Sequence, residues 1–122
     1  MQYIPHSSTA SISEIARHFV LGNDTTRCIL KNSEFQPFSF HPVRFLWRDV
    51  WLLEGTGYVP PHLEEEFRKP LLKVSDIQLR FLPHLKNRSV RDRAFRGTLP
   101  GIQLGSDWRF RERDMREAAI HG

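Results

Sequence analysis

The sequence contains an internal repeat, and this repeat constrains the fold more than any other feature. Residues 43–50 read VRFLWRDV and align with residues 108–115, which read WRFRERDM, with four identities in eight positions. Further upstream, Ile12-Ser13-Glu14-Ile15 aligns with Val74-Ser75-Asp76-Ile77 at a slightly smaller offset, so the copies differ by small loop insertions. Because the matches keep the same order along the chain, they predict a duplicated unit of about 45 residues.

Each copy is predicted to begin with an amphipathic helix. In the first copy, the apolar side chains of residues 12–19 recur at spacings of three and four, which is the pattern of a helix with one buried face. Ser11 and Glu14 have the spacing of a capping box, in which the two residues satisfy each other's free amides at the helix start. Residues 74–81 repeat the apolar pattern in the second copy, where Pro83 ends the helix.

A second, shorter helix is predicted to follow in each copy. In the first copy, Asn23 or Asp24 is expected to cap this helix, since short polar side chains accept hydrogen bonds from free helical amides. In the second copy, the helix is expected to span residues 87–96, with Asn87 as its cap and Gly97 as its stop. Each copy therefore places two helices on either side of a short turn.

The helix over residues 87–96 is predicted to expose a basic face. Its apolar residues Val90 and Ala94 lie four positions apart and would face the core. The residues on its other sides are Ser89, Arg91, Asp92, Arg93 and Arg96. Residues 73–122 carry eleven basic and six acidic side chains, so this part of the chain accounts for the net charge of +4. Such a concentration of positive charge favours nucleic acid as the partner.

A β-hairpin is predicted after the second helix of the second copy. Ile102 and Leu104 share one face of its first strand, and Trp108 and Phe110 share one face of its second strand. A turn sequence, Gly105-Ser106-Asp107, lies between the strands. If Trp108 and Phe110 face inward, three polar side chains point outward and form a basic wing: Gln103, Arg109 and Arg111.

The repeat divides the chain into a first unit over residues 8–55, a linker over residues 56–71 and a second unit over residues 72–120. The linker is expected to contain a short amphipathic helix that starts near Pro61. A unit of about 45 residues buries little apolar surface. Apolar residues of the linker are therefore expected to dock against one or both units: Leu63, Phe67 and Leu71.

The second unit is similar to a known family through five segments, which are Val74-Ser75-Asp76-Ile77, Ser89-Val90-Arg91, Leu99-Pro100-Gly101-Ile102-Gln103-Leu104-Gly105, Trp108-Arg109-Phe110-Arg111 and Arg113-Asp114-Met115. It resembles the excisionase family of winged helix-turn-helix proteins, which are close kin of the MerR-type DNA-binding domain. Together with the repeat, the resemblance implies a mainly α fold with small β-hairpin wings, built from two tandem winged helix-turn-helix units.

The resemblance also implies how such a unit meets DNA. In the family, the second helix enters the major groove and the wing reaches an adjacent minor groove. The resemblance places recognition-helix contacts at Ser89, Arg91, Asp92, Arg93 and Arg96, and wing contacts at Gln103, Arg109 and Arg111. The first unit departs from the pattern, since Ser33 replaces a glycine and Phe38 stands at the position of Gly101. Its weaker candidate contacts are Thr25, Thr26, Arg27, Lys31 and Arg44.

Other functional classes lack their sequence signatures. The six histidines form no H-E-x-x-H motif, and Cys28, the single cysteine, can form neither a zinc finger nor an internal disulfide. Gly55-Thr56-Gly57 is not followed by the G-K-[ST] of a phosphate loop. We therefore expect no catalysis, cofactor, metal or small-molecule substrate. The sequence has no apolar run of about 18 residues and no export signal, so a cytoplasmic, nucleoid-associated location is expected.

Two functions are consistent with these features. The first is a sequence-specific, DNA-bending protein of a mobile element: an excisionase (recombination directionality factor) or a small transcription regulator. Its partners would be double-stranded DNA, an integrase or recombinase, and further copies of itself along DNA. The second is a protein-interaction module, such as an anti-activator or antirepressor, on a winged-helix scaffold. The first unit is either a second DNA contact or a contact for a protein neighbour.

Overall fold

The computed structural model describes residues 5–121, and for residues 119–121 it describes the backbone alone. It divides into two units, Met1–Pro70 and Leu71–Gly122. In both units the elements follow the same order: strand, helix, helix, strand, strand, helix. The described residues form seven α-helices and two three-stranded antiparallel sheets, so the fold is mixed, with more helix than strand.

The bounds of the elements are as follows. The first unit consists of β1 (Thr9–Ser11), α1 (Ile12–Phe19), α2 (Asn23–Asn32), β2 (Ser39–Phe40), β3 (Val43–Leu46) and α3 (Trp47–Leu53), followed by a 3₁₀ helix (Pro61–Leu63) and α4 (Glu64–Arg68). The second unit consists of β4 (Leu72–Lys73), α5 (Val74–Arg80), α6 (Asn87–Phe95), β5 (Gly101–Leu104), β6 (Asp107–Phe110) and α7 (Glu112–His121). None of the described helices is both long enough and apolar enough to cross a membrane.

The two sheets have the same topology and equivalent registers. Their strand orders are β1-β3-β2 and β4-β6-β5. Ser11 lies opposite Arg44 in the first sheet, and Lys73 lies opposite Arg109 in the second. Arg44 and Arg109 occupy the same place in the aligned segments, and Ser11 and Lys73 each come directly before an aligned helix start. The backbone pairing therefore agrees with the repeat in the sequence. Strands β1 and β4 were not predicted, and they make the hairpin of each unit a three-stranded sheet.

The predicted capping box of α1 is confirmed. The Glu14 amide donates to Ser11 Oγ at 3.1 Å, and the Ser11 amide donates to Glu14 Oε1 at 3.1 Å. The second unit keeps one half of this arrangement, since the Lys73 amide donates to Asp76 Oδ2 at 2.9 Å. Each unit therefore has a carboxylate in the first turn of its first helix, where the helix dipole favours negative charge.

The predicted caps of the second helices are wrong by one position. Asn23 and Asn87 are the first helical residues, and the capping positions are Gly22 and Lys86, whose side chains make no capping hydrogen bond. The predicted stop of α6 is confirmed, because Gly97 has a φ of 79°, a left-handed conformation that glycine adopts without a steric penalty.

The core of the second unit lies between its helices and one face of the sheet. Its buried residues are Val74, Ile77, Val90, Ala94, Phe110 and Met115. Gly101 makes this contact close: a Cβ atom at this position would lie 2.8 Å from Trp108 Cε3 and 2.9 Å from the Cβ atom of Ala94. Glycine at position 101 therefore lets β5 and Trp108 approach α6.

The core of the first unit includes aromatic residues from the segment that the sequence predicts as a linker. Trp47 and Trp51 stack with ring centroids 5.8 Å apart. Phe67 packs edge-on against Trp51, and the indole N–H of Trp51 donates to the Phe67 carbonyl at 3.1 Å. The 3₁₀ helix and α4 therefore belong to the first unit, which extends to Pro70.

Candidate nucleic-acid interface

Helix α6 and its end expose four arginines. Val90 and Ala94 are buried in the core of the second unit, as their spacing predicts. The exposed arginines of α6 and its end are Arg88, Arg91, Arg93 and Arg96. Asp92 is also exposed, whereas Ser89 is half-buried. The exposed surface of α6 therefore carries four arginines, together with Asp92 and the 81% exposed Phe95.

These four arginines form no ion pair within the described part of the chain. Other arginines of the same unit are paired: Arg80 lies 2.6 Å from a carboxylate oxygen of Glu112, and Arg113 lies 3.6 Å from one of Glu117. A guanidinium group without an internal partner keeps its five donors available for an external anion. The α6 arginines are thus available to bind an external anion, whereas Arg80 and Arg113 already pair with carboxylates of the same unit.

A polar cleft of about 540 Å³ lies beside the first turn of α6. The start of α5, the start of α6 and the turn of the β5-β6 hairpin enclose it. Side chains with hydrogen-bond donors line the cleft, including Lys73, Ser75, Asn87, Arg91 and Ser106. The cleft has three cations, Lys73, Arg91 and the buried Arg109, against one carboxylate, Asp107. This surplus of cations and donors suits a phosphate group, because such groups accept several hydrogen bonds at once.

The expectation that Arg109 points outward from the wing is wrong. Its exposed fraction is 7%, and its Nη1 atom donates to the Trp108 carbonyl at 2.8 Å. Burial lowers the pKa of Arg109, while the carboxylates of Asp107 and Asp76 raise it in part. Arg109 therefore pairs internally, near the carboxylate in the first turn of α5.

The register of the hairpin explains this burial. Arg109 lies directly opposite Ile102, so both side chains are on the same face of the ribbon. Ile102 and Leu104 are buried on that face, and Phe110 is buried on the other. The sequence prediction assumed that the ribbon buries one face, whereas it buries both.

Arg111 is also buried, with an exposed fraction of 6%, so its assignment to an outward wing is wrong as well. Its Nη1 atom lies 3.4 Å from Asp114 Oδ2, one turn into α7. Burial raises the pKa of Asp114, and the charge of Arg111 opposes that rise. Of the three predicted wing residues, only Gln103 is exposed.

The candidate contacts of α2 are divided between the surface and the interior. Thr25 and Lys31 are exposed. Thr26 is fully buried, and its hydroxyl donates to the Gly22 carbonyl at 2.9 Å, so its assignment to the surface is wrong. Arg27 is exposed but lies 2.9 Å from a carboxylate oxygen of Asp24. Helix α2 therefore presents less unpaired positive charge than α6.

Arg44 holds the first sheet together and does not extend from it. Its Nε atom donates to Thr9 Oγ1 at 2.7 Å, and its Nη2 atom donates to the Thr9 carbonyl at 3.0 Å and to Glu14 Oε1 at 3.2 Å. Arg44 occupies the same sheet position as Arg109. In both units this arginine neutralises a carboxylate in the first turn of the first helix.

The hairpin of the first unit presents apolar side chains. Phe40 is 63% exposed and Phe38 is 48% exposed. An apolar groove of about 540 Å³ lies nearby, lined in part by Leu30, Phe35 and Phe45. Exposed aromatic side chains beside an apolar groove are typical of surfaces that bind other macromolecules.

The sequence did not predict five polar residues of the cleft as contacts: Lys73, Ser75, Asn87, Ser106 and Asp107. Lys73 precedes α5 and Ser106 lies in the hairpin turn, so the two are far apart along the chain. Only the pairing of β4 with β6 brings them together, and β4 was not predicted. In the sequence, only the basic side chain of Lys73, directly before α5, indicated that these residues contribute to an anion site.

The comparisons with known proteins add no relative. No protein-family model matches the chain, and no curated protein and no solved structure matches it. Within residues 5–121, no group of three or more histidine, cysteine, aspartate or glutamate side chains is arranged to hold a metal ion.

Proposed function

We propose that this chain is a sequence-specific DNA-binding protein that bends its target, and that its second unit acts as a winged helix-turn-helix domain. The observation that carries the proposal is the set of four exposed arginines on α6 and its end, which form no ion pair within the described residues. A helix fits the major groove, which is about 12 Å wide, and arginine reads guanine there through two hydrogen bonds. In this proposal Arg91 and Arg93 contact bases, and Arg88 and Arg96 contact phosphates.

The cleft beside α6 supports a role for the hairpin that differs from a basic wing. Arg109 and Arg111 are buried, so neither projects from the hairpin as a wing contact, although Arg109 lines the cleft. In this proposal Lys73, which lines the cleft beside Arg91, contacts a backbone phosphate, and this contact fixes the register of α6 in the groove. Gln103, exposed on β5, is the hairpin residue that remains for a groove contact.

The proposed biological role is control of a mobile element, as an excisionase or as a small regulator of transcription. A protein of this kind carries no chemistry of its own and changes the path of DNA for a recombinase or a polymerase. The proposal includes a cytoplasmic, nucleoid-associated location and assembly with an integrase or with further copies along DNA.

The test is a DNA-binding titration with the fragment upstream of the chain's own gene, at two salt concentrations. We expect the affinity to fall steeply with salt, because bound cations release counterions from the phosphates. The double variant Arg91→Ala/Arg93→Ala should bind about 100-fold more weakly, since each arginine–guanine contact contributes roughly 1–3 kcal/mol.

The matched control is Arg27→Ala/Lys31→Ala, which removes two cations from the equivalent helix of the first unit. We expect this control to lose less than about tenfold in affinity, because Arg27 is already paired. If the α6 variant binds as tightly as the original chain, the assignment of α6 as the recognition helix is wrong. A circular-permutation gel assay on the bound fragment measures bending.

A second function is favoured by the exposed aromatic hairpin of the first unit. Phe38 and Phe40 lie beside an apolar groove, as expected of a protein-interaction module such as an anti-activator or antirepressor. Stoichiometric co-purification of a protein partner that is lost in Phe40→Ser, together with no DNA retardation at low salt, would favour this function over the first.

A further inference from the structure

The first unit contains an arginine-lined cleft that the proposed function does not use. Its volume is about 500 Å³, and it is lined by residues of the 3₁₀ helix His6–Ser8, β1, α1, β3, the start of α3 and the end of α4. Arg17, Arg44 and Arg68 line it, together with Glu14 and Trp47. Three guanidinium groups around one opening are unusual for a surface that only solvates its charges, since like charges repel each other.

The single carboxylate among these five residues does not cancel their charge. Glu14 accepts hydrogen bonds from the Ser11 amide and from Arg44. Burial raises the pKa of Glu14. The hydrogen bonds from Ser11 and Arg44 and the positive charge of Arg44 lower it by more, so the pKa of Glu14 lies below its ordinary value. Glu14 is thus ionised and pairs with Arg44. Arg68 pairs with Glu64 outside the cleft, so Arg17 is the cleft arginine that forms no ion pair within the described residues.

Arg68 provides hydrogen-bond donors to the cleft. Its guanidinium lies over the ring of Trp47, 5.8 Å from the ring centroid, and 3.6 Å from a carboxylate oxygen of Glu64. Its Nε atom is buried and has no hydrogen-bond partner among the described residues. Because Nε is inaccessible, the terminal nitrogens of Arg68 are the donors that can reach an anion in the cleft.

The other two arginines differ in how they are held. Arg44 is fixed by its hydrogen bonds to Thr9 at 2.7 and 3.0 Å, whereas Arg17 is exposed and forms no ion pair in the part of the chain that the structure describes. One fixed and one adjustable guanidinium can close around an anion. The second unit has Leu79 at the position of Arg17, so this cleft is specific to the first unit.

We propose that this cleft binds a phosphate group. Guanidinium groups bind phosphate through paired, charge-assisted hydrogen bonds, and three of them surround a tetrahedral anion better than a planar one. Inorganic phosphate and the DNA backbone share this chemistry. The proposal does not rest on the role of α6, because all of the residues that carry it belong to the first unit.

The test uses the whole chain and inorganic phosphate, titrated against potassium chloride at matched ionic strength. The readout is the ¹⁵N–¹H resonance of each arginine Nε. We expect saturable shifts at Arg17 and Arg68. The variants Arg17→Gln and Arg68→Gln should bind phosphate about tenfold more weakly, as expected when a charged hydrogen bond is lost. Arg17 is exposed, so Arg17→Gln is expected to leave the fold unchanged.

The matched control is Arg48→Gln, an exposed arginine of α3 that does not line the cleft, and it should bind as the original chain does. A second arm measures binding of a duplex by Arg17→Gln and Arg48→Gln. If the DNA backbone is the source, Arg17→Gln alone lowers the affinity and reduces the salt slope by about one. Saturable phosphate binding that needs Arg17, or that selective effect on DNA, supports the proposal.

The proposal is overturned if inorganic phosphate gives no saturable shift and Arg17→Gln binds DNA as Arg48→Gln does. Failure of the α6 variants to affect DNA binding is a separate result, because those variants leave the phosphate-induced shifts of Arg17 and Arg68 unchanged. The two proposals can therefore fail independently.

Discussion

The two units share one order of elements but bury charge in different ways. In the first unit, His18 and Glu54 form a pair with side-chain exposures of 1% and 0%, and Nε2 lies 2.6 Å from the carboxylate. In the second unit, Arg80 stands at the position equivalent to His18 and pairs with Glu112 at 2.6 Å with exposures of 47% and 35%. The first unit thus keeps an ionisable pair in its interior, and the second keeps its pair at the surface.

The buried pair joins distant parts of the first unit. The His18 Nδ1 atom lies 2.8 Å from the Lys69 carbonyl. A carbonyl only accepts, so Nδ1 carries a proton and the second ring nitrogen shares one proton with Glu54. This arrangement ties α1 to the end of α3 and to the segment after α4. A duplicated backbone therefore tolerates opposite placements of charge when each charge keeps a partner.

The largest effect is expected from removing one member of the buried pair. Glu54→Ala leaves His18 without its carboxylate and should lower the free energy of unfolding by about 3–5 kcal/mol. Glu112→Ala removes the exposed counterpart and should lower it by about 0–1 kcal/mol. Urea unfolding followed by circular dichroism measures both. Equal losses in the two variants would show that the difference in burial has no energetic consequence.

An intermediate effect is expected at Gly101. The added methyl group of Gly101→Ala would lie within 3 Å of Trp108 and Ala94, so overpacking should destabilise the chain by about 1–3 kcal/mol. Gly57→Ala is the control, because no atom lies within 4 Å of the position of its Cβ. Thermal unfolding compares the two variants. If the two variants have the same melting temperature, the added methyl group at position 101 meets no steric obstacle between β5 and α6.

The smallest effect is expected from two equivalent aspartates, Asp49 and Asp114. Burial raises the pKa of Asp49, and Arg48 opposes that rise only in part. A folded-state pKa above the unfolded value means that the chain gains stability as the pH falls through this range. Asp49→Asn lacks this gain, so we expect the variant to be at least as stable as the original chain at pH 7 and relatively less stable near pH 3.

Asp114→Asn should behave differently from Asp49→Asn, although burial raises the pKa of Asp114 too. Asp114 is a partner of the buried Arg111, so its removal should also destabilise the chain at pH 7. Urea unfolding at a series of pH values tests both variants. Parallel pH profiles and equal stabilities at pH 7 would contradict the distinction between the two sites.

The features that the sequence predicted are those with a local periodic signal. The stripe of α1 and the spacing of Val90 and Ala94 identify the buried faces of two helices, and α6 therefore exposes its arginines as expected. Strands β1 and β4 contain three and two residues, too few for an alternating pattern to be recognised.

Other features depend on contacts that no local pattern encodes. Alternation along β6 shows that Arg109 and Phe110 face opposite sides, but it does not show that both sides are buried. His18 and Glu54 are 36 residues apart, and neither residue marks the other in the sequence. The arginine cleft combines residues from six elements, and only the tertiary fold brings them together.

The close approach at Gly101 also bears on how the two copies diverged. Where the second unit has Gly101 and Trp108, the first has Phe38 and Val43, so the large ring has moved from one strand to the neighbouring one. A single substitution toward the other copy gives either two rings or none at this place. The two positions are therefore expected to change together, and each copy keeps its own pair of residues at this contact.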